Sequence, residues 1–189
     1  MDITLVYGTA APAGRLALAM RSFAEALGDI GGVACHSIDL AATSLPFAGM
    51  APAADQADAL EQVLATVAQT DALALFMPVY RAAPPGALKN LLDLLPLSSL
   101  ENKPVAQITM GASPHHYLAN QLSLAPVLNW FGAVALPGVY LTGRSFEGGA
   151  LTAPAQQELR QLAESLVETT RRLSGLQILP RPLAANSGG

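Results

Sequence analysis

The chain has one cysteine, few charges and no long apolar run, and each shortage excludes a class of protein. Cys35 alone forms neither an intramolecular disulfide nor a thiolate metal cluster. Lying in a predicted strand, it is expected to be buried and inert. Charged residues are 13% of the 189, the net charge is -4, and no basic stripe exists to release counterions, which argues against a nucleic-acid partner. Arg171-Arg172 is an isolated pair near a helix end, where the helix dipole alone places cations. No uninterrupted apolar stretch approaches the roughly 18–20 residues that span a bilayer, so no membrane partner is expected. Met1-Asp2-Ile3-Thr4-Leu5-Val6 runs straight into a strand pattern without a basic n-region or cleavage site, and the cytoplasm is the expected compartment. Catalytic signatures are missing as well. The chain shows no Cys/His cluster with metal spacing, no Gly-x-Ser-x-Gly elbow, and no carboxylate pair in a strand-to-helix loop. Asp39 and Asp71 flank strands, where capping or solvation explains them better than acid chemistry.

What remains is apolar. Hydrophobic residues make up 51% of the chain, an excess that points to further apolar surface hidden between copies of an oligomer. The length suits one domain with one substantial core, over residues 1–174, followed by a poorly ordered tail over 175–189. Strand patterns at Ile3–Tyr7, Val33–Leu40, Ala72–Met77, Pro104–Met110 and Val134–Leu141 alternate with helical patterns at Arg15–Leu27, Ala54–Gln69, Pro85–Leu95, Pro114–Trp130 and Leu151–Leu173. Polar interruptions place Val33–Leu40 at a sheet edge. Pro85 fits the first turn of its helix, and Thr152 is the expected cap of the last, with Pro154 in its first turn. Such alternation predicts an α/β three-layer sandwich around one doubly wound parallel sheet, and five strands suit the flavodoxin-like order 2-1-3-4-5.

That order brings three strand-to-helix loops to one rim, outside the carboxyl ends of the strands, where ligands of open α/β sheets bind. In Gly8–Gly14, free amides precede a helix and attract anions, with Thr9 and Arg15 to help; the loop also reads as an ordinary turn, since it matches neither Gly-x-Gly-x-x-Gly nor Gly-x-x-x-x-Gly-Lys. Pro78–Pro85 offers a rigid proline, a flat aromatic in Tyr80, a cation in Arg81 and backbone donors, a mixture suited to a planar, polar-edged ring. Gly111-Ala112-Ser113-Pro114 is small enough for a flat ring to lie against backbone. His115 and His116 follow, either solvated in a helix's first turn or turned toward a ligand. Lys89 and Asp93 sit four apart on a helix rich in leucine, as a surface pair or as an ion pair inside an interface. A rim without acid, base or nucleophile suits chemistry that a cofactor performs itself, such as hydride transfer to a flavin.

The run Pro78-Val79-Tyr80-Arg81-Ala82-Ala83-Pro84-Pro85-Gly86-Ala87-Leu88-Lys89-Asn90-Leu91-Leu92-Asp93-Leu94-Leu95-Pro96 closely resembles the central motif of the NADPH-dependent FMN reductase family, above all the reductase components of two-component alkanesulfonate monooxygenase systems. The likeness continues through Met110-Gly111-Ala112-Ser113, where the family has Thr-Gly-Gly, and through Leu124-Ala125-Pro126-Val127-Leu128, and covers residues 3–172. It implies a flavodoxin-like homodimer or homotetramer, assembled here through the Leu88–Leu95 helix. It also implies transfer of hydride from NADPH or NADH to FMN and delivery of reduced flavin to a separate monooxygenase. By position, Pro78, Val79, Tyr80 and Arg81 line the flavin ring, Gly111, Ala112 and Ser113 its other edge, and Thr9, Pro12, Ala13, Gly14 and Arg15 its phosphate. Two departures stand out. The phosphate loop has one hydroxyl, Thr9, where the family has several, and Ala119-Asn120-Gln121-Leu122-Ser123 lacks the Tyr or His that several members insert in the fourth helix. Two further readings therefore stay open: a resident FMN that reduces a quinone, azo dye or metal oxyanion, and a flavodoxin-like electron carrier without turnover.

Overall fold

Residues 1–178 are described in the computed structural model of the chain. The most apolar run forms the central strand β3 (Ala72–Pro78), buried along its length until Pro78. It lies between β1 (Asp2–Tyr7) and β4 (Pro104–Met110), paired in parallel with both. Alternate residues of β3 face opposite layers. Ala72, Ala74 and Phe76 join a core with α1 (Arg15–Gly28) and α5 (Ala153–Leu173); Leu73, Leu75 and Met77 join one with α2 (Ala54–Gln69), α3 (Gly86–Leu94) and α4 (Ala119–Trp130). Burial on both faces is why this strand reads as continuous rather than alternating. Each large side chain so enclosed contributes about 1.5–3 kcal/mol. β2 (Ala34–Asp39) pairs with β1 alone and exposes all but Ile38, as an edge strand should.

The order β2-β1-β3-β4-β5 is the expected flavodoxin-like one, but the last strand is not continuous. In place of one strand over Val134–Leu141 there are two pieces, β5 (Val134–Ala135) and β6 (Val139–Leu141), each parallel to β4, so the sheet has six strands by count. Pro137 supplies no amide for the ladder. At Gly138 the backbone passes so close to its neighbours that a Cβ would lie 2.6 Å from the Gln107 carbonyl oxygen and 2.0 Å from Gln121 Nε2.

The expected fourth helix over Pro114–Trp130 also breaks. Pro114–His116 makes a single 3-10 turn, Leu118 takes a left-handed φ of 68°, and α4 starts at Ala119. The break turns the Tyr117 ring edge-on to Tyr140, their centroids 5.8 Å apart. A hairpin absent from the sequence reading, β7 (Phe146–Glu147) and β8 (Ala150–Leu151), follows β6 and turns on Gly148 and Gly149, both at positive φ. Thr152 stands at the N-cap of α5 as expected, yet its side chain makes no capping bond. Pro85 caps α3 rather than entering its first turn.

Cys35 is a further correction: it is exposed, because β2 has a neighbour on one side only. Partial desolvation pushes its thiol up, which favours the protonated form. On α3, Leu88, Leu91 and Leu92 bury against the sheet, while Lys89 and Asp93 pair at 2.6 Å and remain about half exposed. Of the 175–189 tail, residues 179–189 lie outside the described residues, and the Ile178 amide donates to Asn102 Oδ1.

Candidate functional site

The rim is assembled from turns that the sheet forces together. The Gly8 amide donates to the Phe76 carbonyl at 2.7 Å, extending the ladder from β1 to β3 one residue into the first loop. A side chain at Gly8 would press on that carbonyl at 3.1 Å and on Leu88 Cδ2 at 3.2 Å, so the close approach favours glycine. Thr9 is buried; its Oγ1 accepts the Ala11 amide at 3.2 Å and lies 3.4 Å from the Tyr80 hydroxyl. The Tyr7 hydroxyl donates to the Pro12 carbonyl at 3.3 Å. Burial first, and then the charge of Asp39, push the Tyr7 phenol up, so it stays a donor. With Gly14 as N-cap and no side-chain cap, the amides of Ala13, Arg15 and Leu16 have no partner among the described residues. Unspent amides at the start of a helix attract anions. The exposed Arg15 guanidinium rests 5.9 Å over the Phe146 ring.

The second loop continues β3 along β4, the Val79 amide donating to the Met110 carbonyl at 2.9 Å. Tyr80 and Ala83 then exchange both backbone bonds across a two-residue turn, with Arg81 at φ 54° and Ala82 at φ 60°. Positive φ at both central residues is what a type I′ turn demands, and neither residue is glycine. Helix α4 holds this turn at two points. Asn120 Nδ2, fully buried, donates to the Pro78 carbonyl at 2.9 Å, and Ser123 Oγ reaches the Ala82 carbonyl at 3.3 Å. The Tyr80 ring, 48% exposed, and the exposed Arg81 stand open on the rim.

In the third loop the Gly111 amide is spent on the Leu141 carbonyl at 2.9 Å, leaving those of Ala112 and Ser113 without partners among the described residues. The structure thus brings Thr9 to Tyr80, and Val79 to Met110 at the end of β4, directly before the third loop. His115 is exposed in its 3-10 turn, as a solvated histidine would be, and the Lys89–Asp93 pair is half exposed in the single chain. Beside the first loop, a groove of about 550 Å³ runs from Ala10 past Leu40–Leu45 to Phe47 and Asn90. Asn90 holds its wall, donating to the Pro46 carbonyl at 2.8 Å and accepting the Ala48 amide at 3.0 Å. Sequence reasoning missed Asn120, Tyr140 and Phe146. The Gly148-Gly149 turn was a readable marker for the hairpin that carries Phe146, whereas nothing local marks the other two.

The site therefore presents an aromatic face, amides uncommitted to the fold, and one arginine at a helix start, with no carboxylate among the loop residues. That donor set fits FMN: amides and Arg15 for its phosphate, small residues and Tyr80 for its ring. The sequence pattern described as NADPH-dependent FMN reductase matches residues 1–147. The chain belongs to this family. It is 33% identical over 164 residues to the NADH-dependent FMN reductase SfnF of Pseudomonas fluorescens, covering 86% of this chain and 87% of that one. It is 34% identical over 160 residues to an FMN reductase (NADPH) of Pseudomonas aeruginosa, covering 83% and 85%. Among solved structures, the apo form of the NADH:FMN oxidoreductase EmoB superposes with a TM-score of 0.77 at 21% identity, over 96% of this chain and 97% of the other. At that identity the likeness carries the fold alone. As a member of the FMN reductase family, the chain is an NAD(P)H-dependent flavin oxidoreductase with FMN and NAD(P)H as its small-molecule partners. No helix among the described residues is long and apolar enough to cross a membrane.

Proposed function

We propose that this reductase binds FMN and NAD(P)H on the same rim, reduces the flavin, and releases it to a separate flavin-dependent monooxygenase. One observation carries the release. The single hydroxyl of the phosphate loop, Thr9, is buried and committed to Ala11 and Tyr80, so the phosphate is left to backbone amides and Arg15. A grip of that kind suits a flavin that departs, and it weighs against a resident prosthetic group.

In this reading Pro12, Ala13, Gly14 and Arg15 surround the phosphate and Thr9 shapes their loop. Pro78, Val79, Tyr80 and Arg81 form the wall against which the ring lies, with Gly111, Ala112 and Ser113 along its other edge. FMN, when bound, supplies the two-electron chemistry, accepting hydride from the nicotinamide. The chain's own part is to hold the ring flat, keep water from one face, and aim the Ala112 and Ser113 amides at the edge where negative charge collects on reduction, an electrostatic role. Arg81, exposed at the turn's tip, is placed for a nucleotide phosphate.

Assembly into a homo-oligomer is part of the proposal. Leu97, just after α3, and Leu122 and Trp130, on α4, are 47%, 71% and 52% exposed in the single chain and extend the apolar surface near the Leu88–Leu95 helix expected to pair. A cytoplasmic setting follows from the need for NAD(P)H. The test is the absorbance spectrum of the purified protein, with NAD(P)H oxidation followed at rising FMN. A colourless protein whose turnover depends on added FMN is the expected result. A yellow protein with ping-pong kinetics toward a quinone or azo dye would replace it with the resident-flavin reading.

A further inference from the structure

We infer that Tyr140 is a positioning residue for the flavin, its phenol holding the Gly111–Ser113 turn in the shape that leaves two backbone amides open. This rests on the flavin reading above. The turn is tied to β6 at both ends: the Gly111 amide donates to the Leu141 carbonyl at 2.9 Å, and the Tyr140 hydroxyl donates to the Ser113 carbonyl at 2.5 Å. Among the described residues the only other bond to the Ser113 carbonyl is a long one from the His116 amide, at 3.4 Å. Between the ties, the amides of Ala112 and Ser113 have no partner among the described residues, and Pro114 has no amide to add.

The fit is close enough to dictate the residue opposite. A Cβ on Gly111 would lie 1.8 Å from the Tyr140 hydroxyl oxygen and 2.7 Å from Cζ, so the phenol fills the space that any other side chain at 111 would need. The Tyr117 ring meets Tyr140 edge-on from another side. Burial pushes the phenol up and keeps it a donor. Without the hydroxyl, the Ser113 carbonyl keeps one stretched bond, and the two peptide units carrying the open amides are free to rotate away from a ligand. Tyr140 itself touches neither substrate nor reacting atom; it acts through the turn.

The experiment uses the full chain and fluorescence titration with FMN and with riboflavin, alongside thermal unfolding and the midpoint potential of bound FMN. In Tyr140→Phe, the dissociation constants for both flavins rise by the same factor, roughly tenfold, the size expected for one lost hydrogen bond. The potential moves in the negative direction, because donors to the reduced ring are lost. Unchanged affinities and potential overturn the inference, as does a loss confined to FMN, which would locate the effect at the phosphate. A second pair decides the matter if Tyr140→Phe does not fold: Gly111→Ala weakens flavin binding less in a Tyr140→Leu background than in the wild type, because the clash is then relieved. Equal losses in the two backgrounds overturn it too. A wild-type chain that binds neither flavin would remove the flavin reading, a failure distinct from any variant's.

Discussion

The hydroxyl of Thr9 lies 3.4 Å from that of Tyr80, so the Gly8–Gly14 and Pro78–Pro85 loops touch through two side chains. The same oxygen accepts the Ala11 amide. Thr9→Val removes both contacts at nearly constant volume and strands a part-buried amide, at about 1–3 kcal/mol. The expected result is a lowered Tm and a raised KM for FMN. Thr9→Ser retains both, and equal defects in the two variants would show that the methyl, not the hydroxyl, matters.

Arg15 sits at the first residue of α1 with its guanidinium over Phe146, a shelf that fixes its direction. Arg15→Gln is expected to weaken FMN binding about tenfold while leaving riboflavin unaffected, since one charge-assisted contact to phosphate contributes roughly 1.5–3 kcal/mol. Parallel titrations of the two flavins measure it. Phe146→Leu shifts the preference the same way by a smaller factor, because an exposed cation–π contact contributes only about 0.5–1 kcal/mol.

Asn120 donates to the Pro78 carbonyl from a fully buried position. In Asn120→Asp the carboxylate has no donor to offer and must be buried, so stability at pH 7 falls by about 3 kcal/mol or more. The sign with pH is fixed. Burial raises the folded pKa above the unfolded one, so the penalty is absent below the unfolded value and complete above the folded one. Chemical denaturation at pH 5 and pH 7 should show the variant recovering at the lower pH.

At the other end of the sheet, Asp2 Oδ1 pairs with His36 Nε2 at 2.8 Å between β1 and the edge strand. The hydrogen bond from His36 lowers the Asp2 pKa, with smaller help from the charges of the N-terminus and of His36. A carboxyl lowered on folding stabilises the chain above its unfolded pKa, about 3.9, and that contribution disappears as pH falls through the folded value. The pair is exposed, so the effect is small and shrinks in salt. Acid unfolding of Asp2→Asn should begin at the same pH as the wild type in 1 M salt and differ from it at low ionic strength.

How far the chain could be read depended on where each constraint lives. Ala72–Pro78 was legible because burial on two faces leaves a continuous apolar run, and the edge position of Ala34–Asp39 showed in its polar residues. The break at Pro137-Gly138 lay inside an apolar stretch; Pro137 lacks a ladder amide, while the approach of Gln107 and Gln121 to Gly138 comes from residues distant in sequence. Leu118 carries no local sign of its left-handed backbone. The three loops were placed correctly on one rim, since topology alone puts them there. Which of their polar atoms remain available was not legible: Gly111 loses its amide to Leu141, and Thr9 its hydroxyl to Ala11 and Tyr80. Those are tertiary facts, and they decide which donors the rim still offers a ligand. Cys35 shows the limit of reading burial from strand membership, because a strand with one neighbour leaves its side chains exposed.

The Arg81-Ala82 tip adopts a backbone geometry that L-residues ordinarily avoid, kept there by Asn120 and Ser123. Such a corner has settled its conformational entropy at the moment of folding. If a nucleotide docks at Arg81 as proposed, it meets a backbone already shaped, and its affinity is not drained by organising the host.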